Sequence, residues 1–265
     1  MNNDIDPARV IERVTATARE VLLPRFARVA RRVKADGSIV TEADTVMQQR
    51  LAARLQETWP GIAVLGEEMP AAEQQALLDA GGPLWVLDPL DGTSNFAHGI
   101  PFFSVSLALI DQAGVQLGLV YDPLRDECFE AVRGGGARCN GEPLRCGSVP
   151  SDLAHCAAII DFKRLDPELA TRLALAPPYA SQRSYGSVAL DWCWLAAGRG
   201  QLYLHGRQRL WDYAAGALIL AEAGGHACTL QGEPLACDRL SPTSAVAAAT
   251  AALQQAWYGW LRGSH

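Results

Sequence analysis

The 265-residue chain predicts an α/β fold of the mixed α+β kind, and three observations carry the prediction. Two helix-period segments open the chain, β-like segments fill residues 84–132, and helices and strands alternate after Pro150. With 49% hydrophobic residues a chain of this length can bury a sizeable core. It contains no repeat, low-complexity tract or linker-like stretch. Residues 1–265 therefore read as a single packed unit with halves at about 1–150 and 151–265.

Asp6-Pro7 supplies a cap and a first-turn proline for a helix carrying Val10, Val14, Val21 and Phe26. A second helix from about Asp44 sets Met47, Leu51 and Leu55 four apart on one face. An apolar run at 62–65 is closed by Gly66-Glu67-Glu68. Strands at 84–88, 103–110, 115–121 and 127–132, joined by turns containing Gly or Pro, read as a meander. Beyond Pro150 the pattern predicts a strand at 155–160, helices at 167–175 and 187–197, a strand at 201–204, a helix at 212–223 and a strand at 226–230.

The net charge of −6, with no Lys/Arg cluster, argues against nucleic acid and acidic membrane surfaces as partners. Seven cysteines, odd in number and without a Cys-x-x-Cys pair, fit reduced thiols in a cytoplasmic compartment rather than a disulfide frame or a zinc site. The N-terminal residues lack a basic start and an apolar core, and no apolar run reaches the roughly 18 residues of a membrane span.

The chemistry concentrates at element ends. The strand at 84–88 stops at Asp88 and Asp91, on a turn built from Pro89 and Gly92. Glu67 closes another apolar run, and Asp212 heads a helix of small residues. Any one of these acids read alone is best taken as a solvated turn residue or a helix cap. Four brought together in a partly desolvated cleft would repel one another, which makes sense chiefly as a cation site. Gly92-Thr93-Ser94 adds consecutive backbone N–H groups suited to an anion, particularly if a helix starts there.

The segment Asp88-Pro-Leu-Asp-Gly-Thr-Ser-Asn-Phe96, the later Trp211-Asp-Tyr-Ala-Ala-Gly216 and Glu222-Ala-Gly-Gly225 resemble the signatures of the inositol monophosphatase family of magnesium-dependent phosphomonoesterases. The segment from Lys34 to Asp44 is similar to that family's mobile N-terminal loop, so the resemblance covers nearly the whole chain in the right order. It implies a layered α/β/α/β/α sandwich of the inositol monophosphatase and fructose bisphosphatase type, a homodimer, and two or three Mg²⁺ ions bound with a small-molecule phosphate ester. By resemblance Glu67, Asp88 and the carbonyl of Leu90 hold one metal, and Asp88, Asp91 and Asp212 hold a second. Asp44 becomes the partner of Thr93 in orienting the attacking water, with Glu67 assisting through its metal. Gly92, Thr93, Ser94 and Gly186 meet the substrate, and Glu68 has a supporting role. Lys34 either meets the arriving phosphate or lies on a solvated loop, which Gly37 would let move.

The resemblance thins at one place. Seven residues before Asp212, where inositol-selective members carry a glutamate, this chain has His205, with Arg207 and Arg209 close by. If these side chains face the substrate, they turn an acceptor pocket into a donor-rich one that favours a second anionic group; otherwise they face solvent. The sequence thus leaves open inositol monophosphate, histidinol phosphate, fructose 1,6-bisphosphate and a 3′-phosphoadenylate as substrates. A regulatory binding protein that keeps the fold without turnover is the alternative from another class.

Overall fold

The computed structural model describes residues 5–29, 31–33, 39–147 and 149–263; Lys34 and Gly37 lie outside the described residues. The N-terminal half contains α1 (Pro7–Val21), β1 (Arg31–Val33), β2 (Ile39–Thr41), α2 (Glu42–Thr58), β3 (Ala63–Gly66), α3 (Ala71–Asp79), β4 (Leu84–Asp91), α4 (Thr93–His98), β5 (Ser104–Asp111), β6 (Gly114–Asp122), β7 (Glu127–Val132), β8 (Gly136–Cys139) and β9 (Glu142–Leu144). The C-terminal half contains β10 (Ala157–Asp161), α5 (Pro167–Leu175), β11 (Ser181–Arg183), α6 (Val188–Ala196), β12 (Leu202–Gln208), α7 (Leu210–Glu222), β13 (His226–Cys228), β14 (Thr243–Ala248) and α8 (Ala251–Leu261).

Strands β3 to β9 form a seven-stranded sheet in sequence order, with β3 parallel to β4 and every later pair antiparallel. The second sheet has five strands in the order β11-β10-β12-β14-β13, with β10 parallel to β11 and β12 and the other pairs antiparallel. Side chains alternate across each sheet, and this period of two builds the layers. In the larger sheet Trp85, Leu87, Leu107, Leu109, Leu117 and Leu119 face α1 and α2. Val86, Ala108, Ile110, Val120 and Phe129 face the opposite way, onto α6 and α7. These two helices are covered on their far side by Ile159, Tyr203, Ala245 and Ala247 of the smaller sheet, whose outer face takes Leu173 of α5 and Leu253 and Trp257 of α8. The result is a five-layer α/β/α/β/α sandwich, and α6 and α7 are sealed between two sheets. That explains their composition: Ala214, Ala215 and Gly216 are fully or nearly fully buried, and a Cβ on Gly216 would stand 2.5 Å from the Trp192 Cβ.

Asp6 caps α1 as its sequence predicts, accepting the Ala8 N–H at 3.0 Å. Phe26 lies beyond the end of that helix and packs on Phe96 and Phe103 instead, with ring centroids 5.7 and 5.2 Å away. The strand expected from residue 155 starts at Ala157, because the Asp152 side chain accepts the His155 N–H and closes a short turn first. The strand expected at 201–204 runs on to Gln208 through a register shift after His205. Helices α3 and α8 and strand β14 do not announce themselves in the sequence. β14 reads Thr-Ser-Ala-Val-Ala-Ala, with no alternation of polarity, because both of its faces are buried.

Candidate active site

Strand β4 is buried along its whole length and pairs regularly with β5 as far as Asp88. There the register shifts, and pairing resumes at Asp91 opposite Ser104. Pro89 has no N–H to give the ladder, and the irregularity turns both carboxylates toward one side of the strand end. Asp88 is 2% exposed and its Oδ1 accepts the Leu90 N–H at 3.0 Å. Gly92 then adopts φ +90°, and a Cβ on it would lie 3.0 Å from the Phe102 carbonyl, so both backbone and space demand glycine. Helix α4 starts directly after it with no side-chain cap, so the backbone donors of the first turn, at Thr93 and exposed Ser94, are left for another acceptor.

Thr93 Oγ1 lies 2.8 Å from Asp44 Oδ1 and 2.9 Å from the Leu90 carbonyl, so its single proton has two acceptors in reach. Asp44 is not an N-cap. It is the third residue of α2, and its Oδ2 accepts both the N–H and the hydroxyl of Thr41 at 2.7 Å. Burial pushes the Asp44 carboxyl above its ordinary range, the bonds from Thr41 and Thr93 pull it back, and the charge of Glu68 adds to the rise. Thr41 is a positioning residue that the Thr41-x-x-Asp44 spacing would have revealed.

Two glutamines fix the Glu67 turn. Gln48 of α2 accepts the Glu68 N–H at 2.8 Å, and Gln74 of α3 donates to the carbonyls of Gly66 at 2.8 Å and Glu67 at 3.1 Å. A Cβ on Gly66 would sit 2.2 Å from the Gln48 Oε1, so glycine keeps that contact open. Glu67 and Glu68 are both half-buried.

Asp91 is reached from the other half of the chain. Its Oδ2 accepts the Ser187 hydroxyl at 2.6 Å and the Ala189 N–H at 2.7 Å, at the start of α6. The preceding loop turns at Gly186, φ +86°, whose added Cβ would meet Asn95 at 3.2 Å; Asn95 donates to the carbonyls of Tyr185 at 2.6 Å and Phe102 at 2.8 Å. Burial raises Asp91 to about 6 even with these hydrogen bonds holding it down. Asp212, third residue of α7, is half-buried and accepts the Arg209 N–H at 2.7 Å. Burial and the charges of Asp91 and Glu67 push it well above its ordinary value. Asp88 is pushed well above its own by burial and then by Glu67, Asp91 and Asp212.

The four acids are thus within charge reach of one another. Among the described residues no three of them close a ready-made cage. The donor set is nevertheless hard, anionic and open, and the Leu90 carbonyl adjoins it. Such a set suits Mg²⁺, which keeps several waters and takes few protein carboxylates.

The segment around His205 differs from its sequence expectation. His205 is not a free donor: it is 2% exposed, its Nδ1 accepts the Arg207 N–H at 3.2 Å, and its Nε2 faces Asp161 Oδ2 at 3.5 Å. Arg207 is exposed, and exposed Arg209 gives a guanidinium N–H to the Leu240 carbonyl at 3.2 Å. The His205 imidazole therefore turns into the sheet toward Asp161. Two acids that sequence reasoning missed adjoin this segment. Asp161 ends β10 in register with His205; burial raises it, but the imidazole, Lys163 and Arg164 outweigh that and hold it below its usual range. Asp191, in the first turns of α6, is 5% exposed, and burial with the charges of Asp91 and Asp161 pushes it well above its usual range.

Residues 6–262 match the inositol monophosphatase family. The protein named Nus factor SuhB from Pasteurella multocida is 38% identical over 205 residues, 76% of this chain and 75% of that protein. The inositol-1-monophosphatase of Bacillus subtilis is 35% identical over 201 residues, 74% of each. Among solved structures, the IMPase of Thermotoga maritima matches with a TM-score of 0.83 at 27% identity, over 97% of this chain and 96% of that one.

Proposed function

Because this chain belongs to the inositol monophosphatase family, we propose that it is a Mg²⁺-dependent phosphomonoesterase acting on a small polyol, sugar or amino-alcohol phosphate. The observation that carries this reading is the convergence of Asp88, Asp91, Asp212 and Glu67 beside the bonded pair Thr93–Asp44. Glu67, Asp88 and the Leu90 carbonyl would hold one ion, and Asp88, Asp91 and Asp212 another. Bound there, Mg²⁺ supplies a water of lowered pKa and neutralises the charge of phosphate and leaving oxygen. Thr93 holds the nucleophilic water for in-line attack, and its own proton is directed to Asp44 Oδ1, 2.8 Å away. The Thr93 and Ser94 N–H groups, with Gly92 making the turn, donate to the phosphate oxygens. Gly186 shapes the loop on the leaving-group side.

Among the described residues no helix is long and apolar enough to cross a membrane. All seven cysteines are free thiols, which supports a reducing, cytoplasmic compartment. A homodimer belongs to the same reading, and light scattering on the purified protein tests it. The regulatory alternative would gain support from loss of an acid, and all four stand.

The experiment is phosphate release from a panel of phosphomonoesters with Mg²⁺ and with EDTA. Activity that needs Mg²⁺, and an Asp91→Asn variant that keeps its fold but loses about 100-fold or more of turnover, is the expected result. Near-wild-type turnover of that variant at saturating Mg²⁺ would sink the metal assignment.

A further inference from the structure

Asp161 and His205 are register partners on the parallel strands β10 and β12. Asp161 is the last residue of β10, and His205 is the last residue of β12 that pairs with it, so they close the carboxyl-end side of this parallel pair, the side on which open α/β sheets hold ligands. The His205 Nδ1 is occupied by the Arg207 N–H, which leaves the ring proton to Nε2, and Nε2 lies 3.5 Å from Asp161 Oδ2. Asp161 Oδ1 accepts the Lys163 N–H at 3.2 Å, closing a short turn at Phe162–Arg164. That turn presses on β12 at Gly206, where a Cβ would stand 1.9 Å from the Arg164 carbonyl. Glycine at this position is what allows the turn to hold Asp161 against His205. Of the pair, the imidazole is the buried member, with its side chain 3% exposed, and the carboxylate is the accessible one at 19%. The third group is Asp191: within charge reach of Asp161, 5% exposed, and with an Oδ1 that has no hydrogen-bond partner among the described residues. A buried carboxyl oxygen without a donor is a demand for one.

We propose that Asp161, oriented by His205 and backed by the unpartnered Asp191, selects the leaving group of the ester, taking hydrogen-bond donors and rejecting anions. The acceptor is supplied from the neighbouring strand, and His205 is a positioning residue. This rests on the phosphomonoesterase reading and deepens it: the substrate carries a hydroxyl or an ammonium near the ester oxygen, not a second anionic group. The exposed Arg207 and Arg209 then serve the rim and leave the preference to the buried acids.

The test compares kcat/KM for glycerol 2-phosphate, phosphoethanolamine, 3-phosphoglycerate and p-nitrophenyl phosphate, all with Mg²⁺. Glycerol 2-phosphate and phosphoethanolamine, which carry a donor and no second anionic group, are expected to exceed 3-phosphoglycerate, whose hydroxyl is accompanied by a carboxylate, by about tenfold or more, and the better of the two identifies the donor as hydroxyl or ammonium. Asp161→Asn should lower the donor-bearing esters about tenfold further than it lowers the aryl ester, with most of the loss in KM. His205→Gln, which keeps an N–H for Asp161, should retain most of the preference, whereas His205→Glu, which sets a like charge against Asp161, should lose it. Equal losses on all four esters, or a preference for 3-phosphoglycerate, overturn the inference. Absence of any Mg²⁺-dependent turnover by the wild-type protein overturns the phosphomonoesterase reading itself, so the two failures are distinguishable.

Discussion

Single side chains in this site are held in place by hydrogen-bond donors from neighbouring elements. Asp91 accepts the Ser187 hydroxyl and the Ala189 N–H on Oδ2; Asp44 accepts Thr41 on Oδ2 and the Thr93 hydroxyl on Oδ1. Removing the Thr93 hydroxyl should lower kcat by about 10²-fold or more with little change in Mg²⁺ affinity, the range expected for loss of a proton-handling group. Asp44→Asn should act similarly, and because the two form one unit the double variant should be little worse than either alone. Additive losses in the double-mutant cycle would refute the pair. Thr41→Ala removes a helix cap worth about 1 kcal/mol and, in addition, releases Asp44. Its melting temperature and its kcat should therefore fall together.

At the scale of elements, the site depends on how closely α7 lies between the sheets. Gly118 of β6 touches the backbone of α7: an added Cβ would meet the Ala215 carbonyl oxygen at 2.7 Å, and a backbone atom cannot swing aside. Gly118→Ala should therefore push α7 outward and destabilise the fold by about 1–3 kcal/mol. For a chain of this size that is roughly 2–6 °C in melting temperature, measured by calorimetry. Asp212 stands on the first turn of the same helix, so Mg²⁺ affinity by titration calorimetry should weaken as well. An unchanged melting temperature would mean that the helix can slide without strain. Gln48 and Gln74 show the same dependence at the Glu67 turn, which they tie to α2 and α3 from opposite sides.

For the molecule as a whole, a buried acid cluster is a stability liability that bound cations relieve. Asp91 ionises near pH 6 in the folded protein against 3.8 ordinarily. Between those values the unfolded chain has lost a proton that the folded one retains, so stability without metal falls as pH rises from about 4 to 6. A shift of this size corresponds to about 3 kcal/mol, and Asp88 and Asp212 are displaced in the same direction. Thermal melts in EDTA should therefore decline across this window, Mg²⁺ should reverse the decline, and Asp91→Asn should make it shallower. A melting temperature in EDTA that rises over the same range would contradict this account.

The sequence alone determined the elements whose signal is local. Asp6-Pro7 marks a helix start, the alternating runs through residues 84–132 mark a meander, and the acids at positions 67, 88, 91 and 212 with Thr93 stand in family order. These signals survive because capping, pleat alternation and motif spacing are properties of neighbouring residues. The tertiary structure decided what depends on distant ones. β14 and α3 went unread because a strand buried on both faces has no alternation, and the only fully buried side chain of α3 is a glutamine. His205 read as a donor because its neighbours in sequence are arginines. In space its neighbour is Asp161, 44 positions earlier and beside it in the sheet, and that pairing turns the imidazole inward. Which way a side chain faces at the end of a parallel strand is set by the adjacent strand and the helix covering it, and neither is encoded in the residues alongside it.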